Sequence, residues 1–299
     1  MKEEIKRRTE AVWQIIEAYL PKEQGRTSEV IQAMNYSVNA GGKRLRPMLM
    51  WETYKLFGAN GTVIEPFMAA IEMIHTYSLV HDDLPAMDND EYRRGKKTTW
   101  AQYGEAVAVL AGDALLNYAF ETALTAFSCE GADAVHVARA LSILAKKAGI
   151  YGMIGGQDAD IAAERAGDAL ELSQLLYIHE HKTAALIQAS MMIGAVLAGA
   201  CDEAVDIIEQ AAYEIGIAFQ IQDDILDVTS TFEELGKPIG SDEKNNKTTY
   251  VTLKGIDEAS REQKELSAHA IRRLEALRQK GCENEFLTDL VKSLITRLK

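Results

Sequence analysis

Apolar residues recur at helical spacing almost from end to end of this chain, and no stretch alternates apolar with polar as a half-buried strand would. Ile5, Trp13, Ile16 and Leu20 mark one such face; Ile71, Ile74 and Ser78 mark another. The prolines (Pro21, Pro47, Pro66, Pro85 and Pro238) all fall where a helix would begin or stop, because proline fits a first turn and breaks an interior one. The expected fold is therefore all-α. A chain of 299 residues, 47% of them hydrophobic, can bury a large core. Nothing of low complexity and no fixed-period repeat marks a boundary, so residues 1–299 are expected to form a single domain.

Charge and cysteine usage narrow the function. A formal charge of -13 argues against nucleic acid, whose phosphates need a basic surface, and leaves room for a small anionic substrate. Cys129, Cys201 and Cys282 are far apart and in no C-x-x-C arrangement, which suggests neither a disulfide framework nor a zinc site and fits a reducing, cytoplasmic setting. The N-terminus, MKEEIKRRTEAVWQII, lacks the apolar run of a signal peptide and reads as a helix. TAALIQASMMIGAVLAGA, residues 183–200, is nearly long enough to span a membrane. Its Gln188, Ser190 and many small residues suit a buried core helix better, so no transmembrane segment is expected.

Two acidic clusters each close an apolar helix. HDDLPAMDNDEYRRGK, residues 81–96, holds Asp82, Asp83, Asp88, Asp90 and Glu91 and runs into Arg93, Arg94 and Lys96. In AFQIQDDILDV, residues 218–228, Gln220, Asp223, Asp224 and Asp227 share one helical face. Gathered carboxylates repel one another and resist ionisation unless cations bridge them. In the first cluster Pro85 should end the helix near Leu84, so that the following turn brings Asp88 back toward Asp82. Carboxylate oxygens are hard ligands, and Mg²⁺ is usually held by one or two of them plus substrate phosphates. Three Mg²⁺ would balance Asp82, Asp83, Asp88, Asp223, Asp224 and Asp227, with Mn²⁺ as a substitute. Arg93, Arg94, Lys182, Lys237 and Lys247 would then neutralise a diphosphate. One competing reading treats His81-Asp82 as the HD pair of a metal phosphohydrolase, a class that needs further ligating histidines and no second aspartate cluster. A polar stretch at 229–249 reads as a substrate-ordered lid.

These motifs resemble those of the trans-prenyltransferases, or polyprenyl synthases, and are most similar to the bacterial farnesyl diphosphate synthase branch. GGKRLRP (41–47), HTYSLVHDDLPAMD (75–88), AGDALL (111–116), GGQ (155–157), HKTAAL (181–186), FQIQDDILD (219–227), LGK (235–237) and NKTTY (246–250) appear in the family's order. The resemblance implies one all-α isoprenoid synthase domain, its antiparallel helices around a central catalytic cavity, working as a homodimer. It implies an activity too: Mg²⁺-dependent head-to-tail condensation of isopentenyl diphosphate with dimethylallyl and then geranyl diphosphate. A geranylgeranyl diphosphate synthase is the nearest alternative.

The same resemblance assigns roles. Asp82, Asp88 and Asp223 bind the ions under the allylic diphosphate, and Asp83, Asp224 and Asp227 complete the shell directly or through water. Arg93, Lys182 and Lys247 clamp the leaving group, while Thr183 and Gln220 face the developing cation. Gly42, Lys43, Arg46, His75 and Arg94 hold isopentenyl diphosphate without metal, and Gln157 and Lys237 are further substrate-binding candidates. Tyr77, five residues before Asp82 and so about 7.5 Å along a helix, is expected to be the floor that stops chain growth, with Ser78 beside it. Pro85 and Ala86 form the two-residue expansion that accompanies such an aromatic in the farnesyl synthases of bacteria.

Overall fold

The computed structural model describes residues 1–167, 170–229, 248–278 and 281–295. Its first helix shows how the spacing is realised: in α1 (Lys2–Ala18) Val12 and Ile16 are buried four residues apart, while Glu4 pairs with Arg7 and Arg8 on the wet side. α2 (Ser28–Val38), α3 (Leu45–Leu56), α4 (Glu65–Asp82), α5 (Thr99–Tyr103), α6 (Glu105–Leu124) and α7 (Ala134–Ala148) follow. After them come α8 (Met153–Ala166), α9 (Leu172–Ile178), a π-helical turn at His179–Ala184, α10 (Ala185–Leu197) and α11 (Asp202–Thr229). α12 (Tyr250–Lys254), α13 (Ile256–Arg278) and α14 (Glu285–Ile295) complete the described chain. The fold is all-α, as expected. Pro47 and Pro66 sit in the first turns of α3 and α4, and Pro21 and Pro85 lie beyond the ends of α1 and α4.

The helical periodicity gave no warning of one element. Tyr92–Arg93 (β1) and Lys96–Lys97 (β2) pair antiparallel, Tyr92 opposite Lys97 and Arg93 opposite Lys96. Arg94 and Gly95 form the two-residue loop between them with φ of 53° and 75°, the doubly left-handed turn whose twist suits a tight hairpin.

The chain forms two compact units, divided at 51/52, 59/60 and 141/142. In the N-terminal unit (residues 2–51 and 60–141) α4 is the central element, with Phe67, Met68, Ile71, Met73 and Ile74 fully buried, and α1, α2 and α6 pack against it. α6 with the turn after it, Glu105–Ser128, is long and apolar enough to cross a membrane by length and composition, yet one side packs on α4. Val109, Leu110 and Leu124 remain exposed on it. In the C-terminal unit (Met1, 52–59 and 142–299) α11 packs against α10, α13 and the π turn. All of α10 is buried, so the apolar stretch at 183–200 is core.

Candidate active site

In the N-terminal unit α4 ends at the first aspartate cluster. Beyond Asp82 the chain folds back: Leu84 N–H donates to His81 C=O (3.1 Å), Met87 N–H to Leu84 C=O (2.9 Å) and Asp88 N–H to Asp82 C=O (2.8 Å). The return of Asp88 toward Asp82 predicted from Pro85 is thus made by the backbone itself. Asp82 is partly exposed and Asp88 exposed, whereas Asp83 is buried and accepts from Arg93 Nε (2.7 Å) and Nη2 (2.6 Å). Burial pushes the Asp83 carboxyl above its ordinary range, and the Arg93 bonds recover only part of that. Arg93 is half-buried, which works against its charge, but Asp83, Asp90 and Asp82 more than compensate and hold it firmly charged.

The hairpin aims the next arginine. Arg94 Nη1 donates to Gly41 C=O, tying β1–β2 to the GGKR loop. A side chain at Gly42 would stand 2.6 Å from Arg94 Nη1, and its φ of 132° favours glycine as well, so the motif glycine makes room for the guanidinium. Arg44 has φ 48°, unusual outside glycine, and drops its side chain into the core. There it meets Glu72 Oε1 (2.6 Å), Val38 C=O (2.6 Å) and the face of Trp13 (4.8 Å). Lys43 is exposed, and Arg46 opens α3 half-buried. Arg46 Nε is enclosed with no hydrogen-bond partner among the described residues. Burial, with Arg94 nearby, pulls this guanidinium down to about 10, and Glu72 works the other way. Burial and the charges of Arg46, Arg94, Arg44 and Arg93 push His75 well below 6.5, so it is neutral at pH 7. A small cavity of about 30 Å³ lies here, lined by Glu72, His75, Asp83, Arg93, Arg94 and Lys97 among others.

Tyr77 is buried, its ring edge-on to His81 at 5.9 Å. His81 in turn seats on α6, its Nε2 3.2 Å from Val109 C=O and its ring where a Gly112 side chain would stand. The Tyr77 hydroxyl has no hydrogen-bond partner among the described residues, and burial first, then Asp82, raises it to about 12. Ser78 Oγ donates back to His75 C=O (2.9 Å). His81 is thus packed between helices, and no group of three or more His, Cys, Asp or Glu poised for a metal occurs among the described residues.

In the C-terminal unit the second cluster closes α11. Asp223 and Asp227 are partly buried, and Asp224 is buried. The Asp224 carboxylate accepts from Tyr250 N–H (2.7 Å) and more weakly from Gln220 Nε2 (3.4 Å), so it braces α12 as well as belonging to the acidic face. Gln220 Oε1 accepts from Thr183 Oγ1 (3.0 Å). Thr183 and Lys182 lie in the π turn, an irregularity often found at functional sites. Lys182 Nζ pairs with buried Asp160 (2.6 Å), one turn beyond Gln157 on α8. Gly156 permits this approach: a Cβ there would lie 2.1 Å from Lys182 N. Lys237, Lys247 and all of the expected lid except its ends lie outside the described residues. The carboxylates fit Mg²⁺ by chemistry, being hard oxygen donors at helix ends that would hold the ion largely through substrate phosphate.

Sequence reasoning missed Glu72, Arg44, Asp160 and Tyr250. Glu72 had a signal, a lone acid inside the apolar run EPFMAAIEMIHTYS, where an unpaired charge would be too costly to bury.

A family model described as polyprenyl synthetase matches residues 27–283. A farnesyl diphosphate synthase of Geobacillus stearothermophilus is 46% identical over 244 residues, 82% of this chain and 81% of that one. A chloroplastic geranylgeranyl pyrophosphate synthase of Catharanthus roseus is 48% identical over 231 residues, 77% of this chain and 64% of its own. Among solved structures, a geranyltransferase from Helicobacter pylori complexed with magnesium and isoprenyl diphosphate aligns with a TM-score of 0.78 at 33% identity, covering 96% of both chains.

Proposed function

The chain belongs to the polyprenyl synthetase family and is a head-to-tail isoprenyl diphosphate synthase; within that activity we propose that it joins isopentenyl diphosphate to dimethylallyl and then geranyl diphosphate and releases farnesyl diphosphate. The observation that carries the two-site reading is Arg46, whose enclosed Nε has no partner among the described residues, beside a neutral His75. A buried donor left unanswered is what a diphosphate oxygen satisfies. In this proposal Gly42, Lys43, Arg46, His75 and Arg94 hold isopentenyl diphosphate without metal, and Gln157 is a further substrate-binding residue. Asp82, Asp88 and Asp223 carry the allylic diphosphate, with Asp83, Asp224 and Asp227 behind them, through three Mg²⁺ or Mn²⁺.

Magnesium, when bound, would draw off charge from the departing diphosphate. Lys182, Lys237, Lys247 and Arg93 add fixed positive charge to the same leaving group as the allylic C–O bond breaks and its electron pair stays with the diphosphate. Thr183 and Gln220, joined by their hydrogen bond, present oxygens to the carbocation. The double bond of isopentenyl diphosphate closes the new C–C bond, and the released pyrophosphate takes the proton then lost.

Relatives of both product lengths match about equally well, so chain length rests on Tyr77. Its buried ring, one and a half turns before Asp82, supports a fifteen-carbon limit. The reading includes a homodimer, in which the exposed apolar side chains of Val109, Leu110 and Leu124 on α6 would be covered by a second copy. Three free cysteines support a reducing cytoplasm. The test is to incubate the purified chain with Mg²⁺, dimethylallyl diphosphate and isopentenyl diphosphate and resolve the products by length. Farnesyl diphosphate is expected. A twenty-carbon main product would make it a geranylgeranyl diphosphate synthase, and no prenyl product at all would overturn the assignment.

A further inference from the structure

Glu72 and Arg44 form an ion pair at 2.6 Å with both residues buried, 3% and 6% exposed. Burying two charges rarely gains net stability over an apolar pair, so such a pair invites a role beyond holding the fold. Two features of its surroundings suggest one. Arg44 sits in the GGKR turn at φ 48°, a conformation its inward side chain holds in place. With Arg44 turned in, Lys43 is left exposed and Arg46 placed at the start of α3. Glu72 also lines the pocket beside Arg94 and His75, one turn along α4 from His75. Its negative charge favours the charged form of both Arg46 and Arg94, where burial and neighbouring arginines disfavour it.

We infer that Glu72, acting through Arg44, is a positioning residue for the metal-free diphosphate site: it holds the guanidiniums of Arg44, Arg46 and Arg94 together beside His75 and fixes the turn that presents Lys43 and Arg46. It does not touch the diphosphate. Without that carboxylate, Arg44, Arg46 and Arg94 repel one another, and the arriving anion has to gather them itself. The inference rests on the two-site reading above and adds to it the residue that organises one of the two sites.

The single change Glu72→Gln leaves Arg44 buried without its carboxylate and can fail for stability alone. The decisive variant is therefore Arg44→Met with Glu72→Leu, which removes both charges together and replaces them with packed apolar groups. Its melting temperature, its kcat, its KM for each diphosphate and the binding of inorganic pyrophosphate in chelator are compared with the parent. The expected result is a melting temperature near the parent's, with kcat and allylic KM within about twofold. KM for isopentenyl diphosphate and Kd for metal-free pyrophosphate should both rise tenfold or more, and Glu72→Asp should recover part of that loss. An unchanged isopentenyl diphosphate KM in the folded double variant overturns the inference, and so does an equal rise in both KM values with a lowered melting temperature. Were the parent to bind pyrophosphate in chelator yet make no prenyl diphosphate, the proposed function would fall while the pyrophosphate comparison still read the role of Glu72.

Discussion

Replacing Gly156 by alanine separates the placement of Lys182 from the stability of the fold. A Cβ built at Gly156 falls 2.1 Å from Lys182 N, 2.6 Å from His181 C and 2.7 Å from Lys182 Cα. All three are backbone atoms, so no side-chain rotation relieves the contact. Non-bonded heavy atoms settle at about 3.5–4.0 Å, so α8 and the π turn must separate by more than about 1 Å. Overpacking of this size costs about 1–3 kcal/mol, and the better helix propensity of alanine returns up to about 1 kcal/mol. The net effect on a chain of this size is a fall in Tm of roughly 0–6 °C. Catalysis should respond far more. Moving Lys182 and Thr183 by about 1 Å relative to the reacting bond costs about 100-fold in rate, and the Lys182–Asp160 bond of 2.6 Å is lost or re-formed in a new place. Steady-state kinetics with geranyl and isopentenyl diphosphates should show kcat down about 100-fold and KM for isopentenyl diphosphate little changed. A variant with kcat within threefold of the parent, or one impaired only in isopentenyl diphosphate KM, would refute the reasoning.

Asp82→Ala or Asp223→Ala should lower kcat by at least about 100-fold while shifting Tm little, because in the proposed mechanism each anchors the leaving diphosphate; near-normal turnover in either, or full activity in chelator, would contradict the assignment. Tyr77→Ala should move the main product from fifteen to twenty carbons and cost about 3–5 kcal/mol of stability from the cavity it leaves. Tyr77→Phe should keep the fifteen-carbon product and full stability, since the hydroxyl lost has no hydrogen-bond partner among the described residues; product chromatography and thermal melts read both variants. His75 contributes to acid sensitivity. In the unfolded chain it takes up a proton as pH falls through 6.5, but in the folded protein only well below that, so its share of stability is present above 6.5 and lost as pH drops. Melts between pH 7 and pH 5 should therefore show a steeper loss in the parent than in His75→Gln, and parallel curves would remove His75 from the account.

Most of the helices were legible because each buries an apolar face that its spacing announces, and prolines marked four helix ends, in α1, α3 and α4. The turn after Pro85 was legible for the same reason: a broken helix leaves Asp88 few places to go. The hairpin was not, since strands of two residues carry no alternation and depend on Arg94 and Gly95 both adopting positive φ. Nor was the π turn, which no pattern within HEHKTA announces and against which Gly156 of another helix lies closely. Periodicity placed Gln220, Asp223, Asp224 and Asp227 on one face correctly. It could not reveal that Tyr250 N–H, 26 residues onward, takes an oxygen of Asp224. Lys182 was found as a cation, but its partner Asp160 depends on how α8 meets the π turn, which is a tertiary fact.

The Asp224–Tyr250 hydrogen bond also has a topological consequence. It pins the last turn of α11 to the first residue of α12, and Thr249 caps that helix from the same side by accepting from Thr252 N–H (3.2 Å). Both ends of the intervening chain are therefore fixed by contacts that the intervening residues do not make. The entropy of closing a loop grows only with the logarithm of its length, so doubling the number of residues between two such anchors costs about 0.6 kcal/mol. A change in the number of residues between these anchors therefore leaves the hydrogen bond, and with it the aspartate face of α11, in register.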